Sequence, residues 1–328
     1  MTGQTTRVAV VGAGEFGRNH VRVWREIEGA DLAGVFDANP SRAAQIAAEF
    51  STHSFPSLQS LLAEGVEAVS LAVPTKAHAS VGSQLLQGGV DVLVEKPIAS
   101  SLAEADQLIS AARAGRRILQ VGQVERFNPA VVAAQKILSR PLFFEVHRLG
   151  IFTPRSLDID VVYDVMIHDL DILLTLVGAP VTDLRAVGIP VVTDKVDIAH
   201  VRLEFSTGTV ANLTASRVST ERVRKMRFFQ EHEYISLDFG RRDVLRIRVN
   251  PRAAEQPEIG FEKLPTGSEE PLHAELRAFL DSVRTRRSPV VDGSAGRAAL
   301  ELADQVMAGI LEHARRVQLG AFSPQGAR

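Results

Sequence analysis

The chain has 328 residues and a mass of 35.6 kDa, which exceeds the size that one hydrophobic core usually serves, so we expect two domains. It contains no cysteine, which excludes disulfides, thiolate nucleophiles and cysteine-ligated zinc. A net charge of −2 and a pI near 6.5 provide no global positive field, and we expect no nucleic acid and no membrane among its partners.

The N-terminal part, residues 1–123, alternates short β-branched runs with helical stretches. Its first apolar run is too short for a signal peptide, and no later stretch approaches the ~18 apolar residues of a membrane span, so we expect a cytoplasmic protein. The strand candidates are RVAVVG, LAGVFD, AVSLAV, VDVLVEK and RILQVG, and the helix candidates lie near 15–28, 40–50, 57–64, 76–88 and 101–114. Strict alternation predicts an α/β Rossmann domain with a doubly wound parallel sheet.

The sequence VVGAGEFG forms G-x-G-x-x-G directly after the first strand, where it begins a helix. Such glycines let the backbone approach a pyrophosphate, whose charge is met by the helix N-terminus. Asp37 follows the last glycine by 20 residues, the spacing at which an acid meets the ribose diol of NAD. A carboxylate there repels a 2′-phosphate, which favours NAD over NADP, although a nearby arginine could reach such a phosphate. The expected cofactor contacts are Gly12, Gly14, Glu15, Phe16, Gly17, Asp37 and Arg42.

Two further stretches, AVPTKAH and VLVEKP, end parallel strands, where open α/β sheets bind their ligands. The expected cofactor contacts there are Val73, Pro74, Thr75, His78, Glu95, Lys96 and Pro97. Lys96 ends a strongly apolar run, so its ammonium either extends outward into solvent or is held in the ligand cleft.

The C-terminal part, residues 124–328, has a different pattern. A helix over 164–177 is followed by strands with period-two alternation, and STG and FGRRD predict hairpin turns. Helices are expected near 270–286 and 294–316, and these last helices could pack back on the first domain. This pattern predicts an α+β domain with a largely antiparallel, open-faced sheet that binds substrate and oligomerises. The basic run ERVRKMR either supplies cations to the expected ligand cleft or, as we favour, forms an edge strand protected by charge.

The helix over 164–177 begins with DVMIHDLD. At 100° per residue, Asp164, His168 and Asp171 share one narrow stripe, while apolar residues cover most of the rest. Such a pattern is typical of a buried helix with one line of residues facing a cavity. Alternatively, Asp164 caps the helix, Asp169 bonds local backbone and the histidine is structural.

Five stretches in this order, VVGAGEFGRNH, AVPTKAH, VLVEKPIASS, VGQVERFNPAV and DVMIHDLD, resemble the glucose–fructose oxidoreductase, inositol dehydrogenase and MocA family of NAD(P)-dependent sugar oxidoreductases. The resemblance covers nearly the whole chain. It implies that Glu95, Lys96 and Pro97 are the family's EKP signature, and that Lys96 touches both nicotinamide ribose and substrate. It also places the family's D-x-x-x-H on Asp164 and His168.

The expected catalytic residues are therefore Lys96, Asp164 and His168. Imidazole titrates near neutral pH and can accept the alcohol proton, while a carboxylate one turn earlier fixes its tautomer. Family members differ over whether histidine or lysine is the immediate base; we favour His168, with Lys96 stabilising the alkoxide. The expected substrate-binding residues are Arg126, Asn128, Arg155, Asp164 and His168, and no metal site is expected.

Within the family, VERFNP and DVVYDVMIHDLD look most like the branch that oxidises nucleotide-linked amino sugars, with UDP-N-acetylglucosamine 3-dehydrogenase as the expected activity. One alternative is an NAD(P)-dependent enzyme acting on a free sugar, an inositol or another small carbonyl or imine. Another is a non-catalytic dinucleotide sensor. By analogy with the family we expect a homodimer or homotetramer formed through the C-terminal sheet.

Overall fold

The computed structural model describes residues 5–153, 158–250 and 258–319. The chain divides into two compact units. The first consists of Met1–Phe127 with Glu269–Ala298, and the second of Asn128–Ser268 with Ala299–Arg328.

The first unit contains a five-stranded parallel sheet in the order β2-β1-β3-β4-β5. The strands are β1 (Thr6–Val11), β2 (Ala30–Phe36), β3 (Ala68–Leu71), β4 (Asp91–Glu95) and β5 (Leu119–Gly122). The helices are α1 (Glu15–Trp24), α2 (Pro40–Glu49), α3 (Leu58–Ala63), α4 (His78–Gln87) and α5 (Leu102–Gly115). The predicted parallel Rossmann sheet is confirmed.

The second unit begins with helix α6 (Pro129–Gln135) and contains an eight-stranded sheet in the order β13-β12-β11-β10-β6-β9-β8-β7. The strands are β6 (Phe143–Leu149), β7 (Val181–Ile189), β8 (Ile198–Phe205), β9 (Val210–Ser216), β10 (Val223–Gln230), β11 (Glu233–Asp238), β12 (Asp243–Asn250) and β13 (Glu258–Leu264). All neighbouring pairs are antiparallel except β6 and β9, which confirms the predicted largely antiparallel sheet.

The prediction of an edge strand for ERVRKMR is wrong. The run leads into β10, an interior strand that pairs with β6 on one side and β11 on the other. Its charges are met by neighbouring strands, since Arg227 pairs with Glu145 at 3.0 Å and Lys225 lies 3.9 Å from Asp238. An interior strand whose charged side chains form ion pairs with neighbouring strands has the same sequence pattern as an edge strand whose charges prevent pairing with another chain.

One face of this sheet packs against helix α7 (Ile167–Val177), preceded by a π-helical turn at Val162–Met166. Two helices complete the chain, α8 (Pro271–Thr285) and α9 (Gly293–Arg316). The first unit includes α8 and the first six residues of α9, and the remainder of α9 belongs to the core of the second unit.

The other face of the sheet carries a row of large apolar side chains. In register across β6, β10, β11, β12 and β13 lie Phe143, Phe229, Tyr234, Ile247 and Phe261. The first three rings are in contact, and Phe261 at the end of the row is 70% exposed.

Candidate active site

The glycine loop between β1 and α1 has the geometry of a dinucleotide cradle. Gly12 has a φ of 104°, and a Cβ there would overlap the Ala72 carbonyl. A Cβ on Gly17 would overlap the carbonyl of Gly12, so both positions need glycine for close packing of backbone. A Cβ on Gly14 would meet nothing within 4 Å. The open space before the first turn of α1 fits a pyrophosphate.

Asp37 follows the end of β2 and is bound to the same loop. Its Oδ2 accepts a 2.7 Å hydrogen bond from the Ala13 N–H, and its Oδ1 accepts one of 2.8 Å from the Asn39 N–H. This places a carboxylate beside the glycine loop, which suits the ribose diol of NAD. Of the other residues expected here, Glu15 and Phe16 are exposed in the first turn of α1 and Arg42 is exposed on α2.

The segment after β3 is tied to the segment after β4 by a buried histidine. His78 begins α4 and is 1% exposed. Its Nδ1 lies 3.0 Å from the Pro97 carbonyl oxygen, and its Nε2 lies 2.9 Å from that of Val73. Burial lowers the pKa of His78 below its usual value, although both carbonyl contacts and the charge of Glu95 oppose the shift. Val73 and Thr75 are half-buried and Pro74 is exposed.

Lys96 follows the last residue of β4 and is half-buried, and its bond to Pro97 is cis. Glu95 accepts a hydrogen bond of 3.2 Å from the Lys96 N–H through Oε2. Its Oε1 lies 2.9 Å from Nε2 of His20. Burial alone would raise the pKa of Glu95, but His20 and Lys96 outweigh it and hold that pKa below its usual value.

His20 was missed in the sequence analysis. It lies on α1 within the buried face that also includes Val23 and Trp24, and it is 1% exposed. A histidine on the apolar stripe of the helix that begins at the glycine loop was the signal for a buried polar contact. Its partner could not be identified, because Glu95 is 75 residues away in the sequence.

In the second unit, Asp164 lies inside the π-helical turn and His168 is the second residue of α7. The uniform 100° wheel therefore does not describe the first turn, because π-helical bonds join residues five apart and widen it. Both residues are half-buried, whereas Asp171 is 2% exposed. π-Helical turns are frequent at functional sites, and this one contains Asp164, one of the three residues of the predicted polar stripe.

Asp169 forms a buried ion pair that sequence analysis did not predict. Its two carboxylate oxygens accept hydrogen bonds of 2.8 and 2.6 Å from Nε and Nη2 of Arg148 on β6. The Arg148 guanidinium also lies 4.8 Å from the ring centroid of Phe239. This contact with the sheet lies 21 residues away in the sequence and was predicted by neither interpretation of the helix pattern.

The π-helical turn has a second anchor. The hydroxyl of Tyr163 donates a 2.7 Å hydrogen bond to Asp304 on α9. Burial, together with this carboxylate, strongly raises the pKa of Tyr163, so the phenol remains protonated and continues to donate. The two residues that flank Asp164 and His168 on the N- and C-terminal sides, Tyr163 and Asp169, are thus each fixed to a neighbouring element.

The predicted substrate-binding residues have different surroundings. Asn128 is 3% exposed. Its Oδ1 accepts a hydrogen bond from the Ala130 N–H, which caps α6. Its Nδ2 donates a hydrogen bond to the Phe239 carbonyl, which links that helix to the end of β11. Arg126 is half-buried and donates a 3.4 Å bond to the Val290 carbonyl. Arg155 lies outside the described residues.

Across the described parts of the chain, no group of three or more histidine, aspartate and glutamate residues is arranged to hold a metal ion. No helix within those same ranges is long and apolar enough to cross a membrane.

Two family profiles match the chain. One, described as an oxidoreductase family with an NAD-binding Rossmann fold, matches residues 6–123. The other, described as the GFO/IDH/MocA C-terminal domain, matches residues 132–235. The first match covers the glycine loop, Asp37 and Lys96, and the second covers Asp164 and His168.

Individual proteins are also similar over most of the chain. UDP-N-acetylglucosamine 3-dehydrogenase of Acidithiobacillus ferrooxidans is 43% identical over 303 residues, covering 92% of this chain and 96% of that protein. A solved structure of this enzyme has a TM-score of 0.87 at 41% identity, covering 93% of this chain and 98% of the other. Levoglucosan dehydrogenase in complex with NADH has a TM-score of 0.84 at 19% identity, covering 94% and 98%, which shows a shared fold.

Proposed function

The chain belongs to the GFO/IDH/MocA family of NAD-binding oxidoreductases, as its motifs predicted, and from that premise we propose that it oxidises the C3 hydroxyl of UDP-N-acetylglucosamine with NAD. The observation that carries the proposal is the 43% identity to a UDP-N-acetylglucosamine 3-dehydrogenase over 92% of the chain. The two family profiles, over residues 6–123 and 132–235, include the segments that carry the proposed cofactor and acid–base residues.

NAD is the cofactor that the first unit fits. The space above Gly14 admits a pyrophosphate, and the Asp37 carboxylate can accept hydrogen bonds from a ribose diol but would repel a 2′-phosphate. When bound, NAD supplies the acceptor for the hydride that leaves the sugar carbon. We therefore propose NAD rather than NADP as the working cofactor.

The acid–base chemistry is assigned to three residues. His168 accepts the proton of the substrate hydroxyl, and Asp164 orients the imidazole and stabilises its charged form. Lys96, as a cation, stabilises the negative charge that develops on the oxygen and makes the alcohol easier to deprotonate. The C–H bond then breaks with its electron pair leaving as hydride, and a keto sugar is the product.

We further propose that Arg126 contributes to binding an anionic part of the substrate, since a guanidinium matches the oxygens of a diphosphate. The same role is proposed for Arg155. For Asn128 the contacts with Ala130 and Phe239 support a structural role within the second unit instead.

The substrate class can be tested by thermal unfolding with NAD and a set of sugars. We expect UDP-N-acetylglucosamine to raise the unfolding temperature more than UDP-glucose, free N-acetylglucosamine or myo-inositol, because selective binding to the native state stabilises it. A rise with inositol or a free sugar but none with UDP-sugars would favour the alternative of a small polyol substrate. Binding of NAD without turnover of any sugar would favour a dinucleotide sensor.

We also propose a homo-oligomer, a dimer or a tetramer, formed through the face of the second unit's sheet that carries Phe143, Phe229, Tyr234, Ile247 and Phe261. A row of apolar side chains across five strands is stabilised when a second copy covers it. A cytoplasmic location is part of the same proposal, since the reaction consumes intracellular NAD.

A further inference from the structure

We propose that His20 and His78 are positioning residues that hold the backbone on either side of Lys96, so that its ammonium is presented in one fixed place. The inference rests on the proposed function in assigning Lys96 a catalytic role. The contacts themselves all lie within the first unit.

The first contact comes from the helix that begins at the glycine loop. Nε2 of His20 on α1 donates to Oε1 of Glu95 across 2.9 Å, and the other carboxylate oxygen accepts from the Lys96 N–H. The histidine is 1% exposed and the glutamate side chain 14% exposed. A charge-assisted hydrogen bond in such a buried setting is stronger than a neutral one and resists exchange with water. The orientation of α1 is thereby linked to the peptide group of Lys96.

The neighbouring strand lies directly beside the Glu95 carboxylate. Gly122 ends β5 and is the register partner of Glu95. A Cβ on Gly122 would lie 3.1 Å from Cδ, Oε1 and Oε2 of Glu95, so the carboxylate lies flat on this glycine. His20 therefore acts on a carboxylate that lies between α1 and the end of β5.

The second contact comes from α4. His78 bridges the Pro97 carbonyl, at 3.0 Å, and the Val73 carbonyl, at 2.9 Å. A neutral imidazole has one N–H and can donate to only one of these oxygens at a time. The ring packs between the two segments, so Lys96 is flanked by Glu95, which is held from α1, and by Pro97, whose carbonyl contacts the first residue of α4.

A lysine side chain has four rotatable bonds, and ordering it carries an entropic cost. Fixing its backbone does not remove that cost, but it determines where the ammonium can reach. Displacements of about 1 Å in catalytic groups can lower rates on the order of 100-fold. We therefore expect loss of the His20 contact to lower kcat and to leave the affinity for both ligands largely unchanged.

The test compares His20→Leu with His20→Gln, because Nε2 of glutamine can replace Nε2 of histidine as a donor to Glu95. We expect His20→Leu to lower kcat by about tenfold or more, with KM for UDP-N-acetylglucosamine and Kd for NAD within about threefold of wild type. His20→Gln should restore most of kcat. The matched control is His273→Leu, which removes another histidine–glutamate contact of the same unit, at 2.8 Å from Glu269, and should leave kcat unchanged.

Amide hydrogen exchange provides a readout that does not depend on substrate. His20→Leu should accelerate exchange in the peptide that covers residues 95–99, and neither His20→Gln nor His273→Leu should do so. If His20→Leu does not fold, Glu95→Gln replaces it, since the amide keeps one acceptor oxygen and cannot accept from both His20 and the Lys96 N–H.

Wild-type kcat in His20→Leu, unchanged exchange at residues 95–99, or a His20→Gln variant as impaired as His20→Leu would each overturn the proposal. If the wild-type protein does not oxidise UDP-N-acetylglucosamine, the proposed function fails by itself. Hydrogen exchange in the three variants then decides whether His20 holds the Lys96 segment.

Discussion

The guanidinium of Arg148 donates two hydrogen bonds to the carboxylate of Asp169, from Nη2 to Oδ1 at 2.6 Å and from Nε to Oδ2 at 2.8 Å. Asp169 directly follows His168 in the sequence, and the arginine is on a strand that packs under the helix. Both side chains are almost completely buried, at 6% and 2% exposed. The ion pair therefore fixes the first turn of α7 against the sheet, next to the proposed base.

Breaking this pair should destabilise the protein strongly. We expect Asp169→Ala to lower the free energy of unfolding by about 3–5 kcal/mol, because it leaves a buried guanidinium without its carboxylate. Urea unfolding measures the change. The double variant Arg148→Met/Asp169→Leu should lose less free energy of unfolding than Asp169→Ala, since it removes both charges. An equal or greater loss would mean that the attraction between the two charges outweighs the cost of burying them.

The acid–base assignment predicts a separation between binding and chemistry. His168→Ala and Lys96→Met should each lower kcat by about 100- to 10,000-fold, while both variants still bind NAD. Stopped-flow formation of NADH and fluorescence titration with NAD provide the two measurements. Either variant turning over at the wild-type rate would remove that residue from the mechanism.

The cofactor preference should depend on the charge of Asp37. Asp37→Asn removes the carboxylate that would repel a 2′-phosphate and one of the two oxygens that accept backbone hydrogen bonds. We expect the ratio of kcat/KM for NADP to that for NAD to rise by about tenfold or more. The rise should be largest at low salt, where charges are least screened. An unchanged ratio would show that another residue, with Arg42 the first candidate, determines the preference.

The pKa of His78 predicts how stability depends on pH. It is lowered in the folded protein from a usual value of 6.5, so the unfolded chain takes up the proton more readily. The stabilisation is therefore complete above pH 6.5 and is lost progressively as pH falls below 6.5 toward the folded pKa. Urea unfolding midpoints, measured at pH values above and below 6.5, should fall less steeply with decreasing pH in His78→Gln than in wild type. Parallel curves for the two proteins would contradict the argument.

The apolar row on the sheet predicts the oligomeric state. Phe261→Glu places a charge at its most exposed member and should shift the protein toward monomer in size-exclusion chromatography with light scattering. Val290→Glu is the control, because it adds the same charge at a valine that is 60% exposed in the first unit. Identical masses for wild type and Phe261→Glu would indicate that this face is not the contact.

Features that depend on local pattern could be predicted from the sequence. Alternating strands and helices gave the five-stranded parallel sheet, and the predicted helix over 101–114 agrees with α5 at Leu102–Gly115. The hairpin at STG follows from its turn residues and joins β8 to β9. The glycine loop could be recognised because the spacing of its three glycines, directly after a strand and at the start of a helix, is a local pattern.

Features that depend on distant partners could not be predicted. The ERVRKMR run was assigned to an edge because nothing in the sequence shows that β10 pairs with both β6 and β11. The π-helical turn was treated as regular helix, since periodicity does not distinguish the two over five residues. Asp169 and His20 differ from surface residues only through Arg148 and Glu95, which are 21 and 75 residues away.

Oxidation of UDP-N-acetylglucosamine labelled with deuterium at C3, in the presence of NAD, tests the central claim most directly. We predict that the reduced cofactor carries the deuterium, that a keto sugar forms in equal amount, and that kcat is lower than with unlabelled substrate if hydride transfer limits turnover. Reduced cofactor without deuterium would mean that another carbon is oxidised, and no reduced cofactor at all, from protein that binds NAD, would contradict the proposed activity.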